Sequence, residues 1–408
     1  MTDEQRGTDT EQHDDGTSGV SRGTFLRRTG IAIGTVLVVG AGALGYRAYD
    51  QGVLEVGEGP AYAPWSNWDQ HAGLLPLVGA ATLAPSPHNA QAWLFRLAPD
   101  GIDLFADPGR NTGAVDPFRR EMYVGLGAAL ENIVLAANAR GYLSTVTLMP
   151  DGPHSTHAAR IGLRRANVQA SALYRQIAKR HSNRYPYVEG QELPAAALRA
   201  MQSLTICETP DARLFWFTGQ RQLAQLGELL IGATKAIAAD PNQSRSDYAW
   251  FRQSWDEIQR KRDGITVDAA GLSDLTAALA KLLPAQSREA TDASWLSATR
   301  DRQTRTAAAY GIVAVRDATD NGQRVQGGRL LQRIHLWTSG NGFALQHMNQ
   351  LTERADRERQ LGAAPDMGNA LSELVPTDWQ PLSMFRAGYP TREPHRSPRR
   401  AVDAVIVA

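Results

Sequence analysis

Two segments of this chain repeat one another. Gly127-Ala-Ala-Leu130-Glu131-Asn132-Ile133-Val-Leu135 runs on to Gly141-Tyr142, and Gly328-Arg-Leu-Leu331-Gln332-Arg333-Ile334-His-Leu336 runs on to Gly342-Phe343. The spacing is constant at 201 positions, from 127 to 328 and from 142 to 343. Both read G-x-x-L-[EQ]-x-I-x-L, with apolar residues at helical spacing and a late glycine suited to a C-cap. A period of this kind constrains architecture before any motif does. It implies two related halves fused into one unit, where length alone, 408 residues, would allow two or three independent domains.

Around the repeat, the first half reads helix, loop, strand, loop, long helix, strand. Asn67 to Leu83 is a helix with a restart at Pro76, stopped by Ala84-Pro85-Ser86-Pro87. Ala92–Leu97 and Gly101–Phe105 form a hairpin across Pro99-Asp100, and Asp116-Pro117 opens the long helix to Arg140. Leu143–Met149 is a strand. In the second half Arg221–Ala239 is a helix, Ala308–Val315 a strand and Gly328–Gly340 the repeat helix. Tyr248–Leu283 and Ser294–Arg305 read as largely helical and lack first-half counterparts, so about 240–307 reads as an inserted lid. The fold class is α+β.

The first sixty residues read differently. Residues 1–28 are a disordered leader ending in a basic stretch, residues 29–46 an apolar signal or membrane-anchor segment, and 47–64 a linker rich in glycine and proline. The body then divides into halves 65–170 and 171–408. Eighteen residues span about 27 Å as a helix, marginal against a bilayer core of about 30 Å. Arg22, Arg27 and Arg28 precede the apolar run, which leaves the C-terminal body outside the cytoplasm. Ser21, Arg22, Phe25, Leu26 and Arg27 resemble a twin-arginine signal, degenerate at Gly23; Ala41-Gly42-Ala43 offers a cleavage site. Gly40-Ala-Gly-Ala-Leu-Gly45 imitates a dinucleotide-binding loop, but too few residues follow for the crossover helix that such a loop requires.

Composition narrows the chemistry. A net charge of +1 excludes a dominant nucleic-acid footprint, and one cysteine, Cys207, excludes an internal disulfide or a four-cysteine zinc site. Only four of the 43 basic residues are lysine, so any phosphate is held mainly by guanidinium. His154 and His157 read as solvated loop residues rather than a metal pair, and His335 and His347 as structural. Arg180, Ser182 and Arg184 lie near one face of a turn before Tyr185-Pro186, a fork, a hydroxyl and a second fork. Pro85-Ser-Pro-His88-Asn89-Ala-Gln91-Ala-Trp93 is a proline-stiffened loop presenting a hydroxyl, two amides and an indole.

Together these segments resemble the nitroreductase superfamily of FMN oxidoreductases. Arg180, Ser182 and Arg184 match its R-x-S-x-[RK] motif; Pro85, Ser86, Asn89, Gln91 and Trp93 match its P-S-x-x-N-x-Q-P-W loop, with Ala92 where proline is usual. Ser397-Pro398-Arg399-Arg400 resembles the family's basic tail, and the first repeat its dimer-interface helix. The arginine motif follows the loop, the reverse of the ordinary order. With Asp116-Pro117, Arg120-Glu121 and the Arg386-Ala-Gly-Tyr-Pro390 ending, this resembles the Acg-type branch, single chains folded like a nitroreductase dimer. The resemblance implies FMN held by Arg180, Ser182, Arg184, Arg399 and Arg400, with Pro85, Ser86, Asn89 and Gln91 against the ring. Arg184 would face the N1–O2 edge. It implies a monomer that mimics a dimer, and NAD(P)H as donor to a nitroaromatic or quinone by ping-pong. The other implied reading is an FMN-storage protein without turnover.

Overall fold

The computed structural model describes residues 41–204 and 211–408. The expected leader, residues 29–40 of the apolar segment, Gly40 and Cys207 lie outside the described residues. The chain divides into a unit Met1–Arg47 and a unit Ala48–Ala408, the second containing all of the sheets. Within the expected linker, Ala61 and Tyr62 are buried, and the Ala61 carbonyl accepts from the Arg399 amide at 2.7 Å.

Two four-stranded antiparallel sheets carry the fold. The first contains β1 (Trp93–Ala98), β2 (Gly101–Ala106), β3 (Tyr142–Leu148) and β4 (His157–Arg165), in the order β1-β2-β4-β3. The second contains β5 (Ala212–Phe217), then three strands further along the chain, Ala309–Val315, Ala344–His347 and Gln380–Gly388. Its order is first, second, fourth, third, the same as in the other sheet. In each sheet a 20-residue helix joins the second strand to the third: α1, Arg120–Ala139, and its counterpart Asn321–Gly340. The two helices are offset by the same 201 positions as the sequence repeat. Each is followed by a left-handed glycine, Gly141 at φ 75° and Gly342 at φ 75°.

These two helices cross in contact. A Cβ on Gly127 would lie 2.1 Å from the Val325 carbonyl oxygen, and one on Gly328 would lie 2.0 Å from that of Val124. Val124 and Val325 are themselves a repeat pair, so each contact recurs with the roles exchanged. The polar contacts do the same. Buried Glu131 accepts from Arg333 at 2.6 Å and from Arg329 at 2.9 Å, while Gln332, its repeat partner, donates to Asn132 at 2.7 Å. An interface in which i meets j and j meets i has two-fold character. Of the described helices, Arg120–Ala139 alone is long and apolar enough to cross a membrane, and it is buried in this crossing.

The sheets differ in what covers them. Strand β3 alternates half-buried and exposed residues, as a strand with one wet face should. Strand Ala309–Val315 is buried throughout. Ala309, Val313 and Val315 face the helix crossing, and Tyr310, Ile312 and Ala314 face a separate core under Gln220–Ala239 and Gln350–Leu361. Where the first sheet has the tight turn Pro99-Asp100, the second has an insertion of helices between Phe217 and Ala309.

Several boundaries differ from expectation. The helix expected over Asn67–Leu83 is two pieces, Pro64–Asn67 and Leu75–Thr82, the second restarting beside Pro76. Arg120–Ala139 begins three residues after Pro117. Arg119 is left-handed, and the Asp116 carboxylate accepts from the Glu121 and Met122 amides at 3.1 and 2.9 Å. The expected helix Tyr248–Leu283 is broken into Trp255–Lys261 and Asp274–Leu282 by left-handed Arg262, Gly264 and Gly271. Ser254 and Ser273 each cap a new start. Strand β4 was not expected. His157 on it is buried, bonded to Asp103 and Asp151 and stacked on Phe105, not solvated.

Candidate functional site

The loop after Leu75–Thr82 cannot continue as helix, because Pro85 and Pro87 supply no amide hydrogen. It makes one tight turn, with His88, Asn89 and Gln91 all left-handed at φ 49°, 55° and 55°. Ser86 Oγ accepts from the Gln91 amide at 2.9 Å and holds the turn closed. Three left-handed non-glycine residues within four positions mark a loop held by its surroundings.

Beside it lies a buried cluster of cations. Arg180 follows the turn Tyr174–Gln176 and is 1% exposed. Its Nη2 donates to the Leu83 carbonyl at 2.9 Å, and its Nη1 lies 3.3 Å from His335 Nδ1. Arg399, 3% exposed, reaches in from the C-terminal tail and donates to Asn89 Oδ1 at 2.6 Å. Its guanidinium lies over Trp65, whose indole is fixed by a bond to the Ser397 carbonyl and whose ring contacts His181. Neither arginine pairs with a carboxylate among the described residues, and the Nε of each is buried without a partner. Burial pulls Arg180 down to about 9, and burial plus the Arg180 charge lowers Arg399. The same field holds nearby histidines neutral. His347 is pushed down to about 3 by burial, then by Arg180 and Arg184, and His335 is lowered by burial and Arg180.

The other expected residues are placed as follows. Arg184 is lowered by burial and donates to the Ala269 carbonyl at 3.1 Å. Ser182 is half-buried and makes no side-chain hydrogen bond among those described. Arg400 donates from its amide to Gln91 Oε1 at 2.8 Å and from its guanidinium to the Gln91 carbonyl at 3.1 Å. Pro85 is half-buried in the loop. The structure therefore brings Arg180, Arg399, Arg400 and the Pro85–Gln91 loop together, with Arg184 at the side of the insertion.

The insertion itself sits on the loop. Asn89 Nδ2 donates to the Gly264 carbonyl at 3.2 Å, Gln91 Nε2 to the Arg262 carbonyl at 2.9 Å, and His88 Nε2 is bonded to Asp247. Arg110 pairs with Asp263 on the same segment. Under the loop lies an acid cluster that the sequence did not reveal. Glu121 is pushed up to about 7 by burial, and Glu353 is raised by burial and by the Glu121 and Asp247 charges. Arg120-Glu121 was visible as a dipeptide; its partners lie far along the chain. No group of three or more metal-ligating side chains is found among the described residues.

An FMN phosphate fits the arginine end of this site. Two buried guanidiniums with spare Nε–H donors and no counter-charge are what a buried dianion requires. At the loop the fit is different, since the Asn89 and Gln91 amides are engaged by protein groups.

No family model matches the chain. Two curated relatives from Mycobacterium tuberculosis, strains CDC 1551 / Oshkosh and H37Rv, are each provisionally named an NAD(P)H nitroreductase. Both are 31% identical over 153 residues, which is 35% of this chain and 43% of the relative. The match thus spans under half the length of those relatives. Among solved structures, the FMN-dependent nitroreductase NfnB from Mycobacterium smegmatis in complex with NADPH is 17% identical. It covers 56% of this chain and 94% of its own, at a TM-score of 0.36. A Bacteroides fragilis nitroreductase with bound FMN is 16% identical over 54% of this chain and 90% of its own, at a TM-score of 0.31. Over 35% of its length the chain is similar to proteins named as nitroreductases.

Proposed function

We infer that the protein is an FMN-binding, nitroreductase-like oxidoreductase that draws electrons from NAD(P)H and passes them to a nitroaromatic or quinone by ping-pong. The observation that carries this reading is the pair of buried arginines, Arg180 and Arg399, with unpartnered Nε–H groups and no carboxylate partner among the described residues. They and Arg400 would hold the phosphate. Ser182 would add a hydroxyl, and Arg184 a positive charge at the pyrimidine edge of the ring. FMN when bound would supply the two-electron chemistry. The protein's part is to bind, orient and exclude water. Asn89 and Gln91 would face the ring edge once the insertion gives up its bonds to them, with Ser86 beside them.

The chain would be an internal duplication that mimics a homodimer. The shared strand order and the reciprocal helix crossing support this. It would keep one complete site, because only one R-x-S-x-R segment is present. The N-terminal segment would export the body or anchor it to a membrane. A second reading, FMN storage without turnover, is favoured by one observation. The 246–271 segment occupies the hydrogen-bonding groups of the loop and of Arg184. The test is the visible spectrum of the purified protein with FMN, then anaerobic addition of NAD(P)H. A bound-flavin spectrum that bleaches supports the oxidoreductase, and one that does not bleach supports storage. No bound flavin overturns both.

A further inference from the structure

We propose that His88, Asp247, Glu121 and Glu353 form a proton-operated clasp that fastens the insertion to the Pro85–Gln91 loop at acid pH and releases it as the pH rises. The clasp stands on the His88–Asp247 bond and the loop–insertion contacts, with the direction in which the buried acids titrate beside them; only its consequence for flavin depends on the reading above.

Four chain segments meet at this point. His88 projects from the left-handed loop and bonds through Nε2 to Asp247, on the insertion helix Pro241–Tyr248; the two side chains are 10% and 8% exposed. Its Nδ1 is buried without a partner. Glu121 lies in the first turn of Arg120–Ala139, and Gly125, one turn on, packs against Ser86 and Pro87. Glu353 lies in the first turn of Gln350–Leu361, and Asn349 just before it bonds to Glu121. Around the clasp the same segment makes three further contacts. Ser246 Oγ accepts from the Ala114 amide at 3.2 Å, and the Arg262 and Gly264 carbonyls accept from Gln91 and Asn89.

The charges balance only when the acids carry protons. Burial works to lower His88, but its bond to Asp247 and the Asp247 and Glu121 charges outweigh that and raise it, with Arg184 opposing. Glu353 is raised by burial and by Glu121, Asp247 and Asp116, with Arg120 opposing. Arg120 is already bonded to Asp356 at 2.8 Å and to the Leu382 carbonyl. Behind Asp247, Asp292 is bonded to Ser244 and raised by burial and by Asp247, with Arg288 opposing.

His88, Glu121 and Glu353 respond to pH in the same direction. Glu121 is pushed up to about 7, chiefly by burial, so the part of that burial which the insertion supplies favours closure below about 4.5 and is lost as the pH climbs towards 7. Glu353, raised, extends the same loss to higher pH. His88 is raised above 6.5, so its charged bond to Asp247 is complete below that value and lost above the raised one. Rising pH therefore adds buried anions beside Asp247 and removes the cation that holds it. Release would break the bonds from Asn89 to Gly264 and from Gln91 to Arg262 together, while their bonds to the C-terminal tail remain.

The test is hydrogen–deuterium exchange on the full chain without added flavin, read as protection factors corrected for intrinsic rate. At about pH 5.5 the peptide covering 246–264 should be protected, and at about pH 8.5 its protection should fall by about tenfold or more. Protection of the crossed helices should stay constant, which also reports that each variant folds. Glu121→Gln with Glu353→Gln should leave only the smaller fall that loss of the His88 charge produces, and Asp247→Asn should expose the segment at both values. Equal protection of the unaltered protein at both values overturns the clasp without any variant, as does an undiminished fall in the double variant. Repeating the exchange with FMN separates the two ideas. A pH response that FMN leaves untouched keeps the clasp and counts against the flavin reading. FMN protection without a pH response does the reverse.

Discussion

Arg180→Met should raise the stability of the ligand-free protein and cost it most of its affinity for FMN. Arg180 is 1% exposed, faces no carboxylate among the described residues, and is pulled down to about 9 by burial. Replacing a buried ion pair or triad by well-packed apolar side chains is often neutral or gains about 1–4 kcal/mol, and Arg180 has no ion-pair energy to lose. Against this, the Leu83 carbonyl loses its donor, a cost of about 1–2 kcal/mol for a buried acceptor. The net is a gain of about 1 kcal/mol, a rise of about 1 °C for a chain of this size. Binding moves the other way. Two charge-assisted bonds at about 1.5–3 kcal/mol each amount to at least about 3 kcal/mol, a loss of about a hundredfold in Kd. Thermal melts with and without FMN, paired with calorimetric titration, measure both quantities. An apo protein weakened by more than about 2 kcal/mol with an unchanged Kd would refute the reasoning, because Arg180 would then be a structural donor and not an anion holder.

Four further outcomes are expected. Gly328→Ala should cost about 3 kcal/mol or more in urea unfolding, because its Cβ would lie 2.0 Å from a backbone carbonyl oxygen that cannot step aside. Glu131→Gln should cost about 3 kcal/mol by removing the buried carboxylate that receives Arg329 and Arg333. Asp103, bonded to Arg160, Arg96 and His157, is held down at about 2. Its contribution is present above 3.8 and disappears as the pH falls from 3.8 towards 2, and acid unfolding of Asp103→Asn should lack that part of the slope. Arg399→Met should weaken FMN binding while Arg396→Met, whose guanidinium reaches only Ser66 Oγ at the surface, should leave it near the unaltered value in the same titration.

The parts of the fold legible in the sequence are those written in short segments. The crossed helices announced themselves because a helix face repeats every three or four residues, and the same face occurs twice at one spacing. The loop was legible because two prolines forbid a helix, and the arginine cluster because its residues lie within five positions of one another. Strand β4 was hidden by its own composition, four of its nine residues being His157, Arg160, Arg164 and Arg165. The broken insertion helices depend on left-handed Arg262, which no propensity foretells. The acid cluster was invisible for a different reason. Glu121 is raised by burial, and Glu353 by burial and by Glu121 and Asp247 more than a hundred positions away; burial of that kind is a property of the assembled chain. The occupied amides of Asn89 and Gln91 likewise depend on partners at 262–264 and 398–400.

The helix crossing has a consequence for how the two sides can diverge. When two identical chains meet on a two-fold axis, every substitution appears twice, and an acid placed near the axis meets its own copy. Here both sides belong to one polypeptide and can change one at a time. Position 131 is a glutamate gripped by two arginines, whereas position 332 is a glutamine bonded to an asparagine. An ion cluster on one flank and a neutral amide pair on the other is a pattern that identical partners cannot write. Closure of this interface is also unimolecular, so dilution does not weaken it.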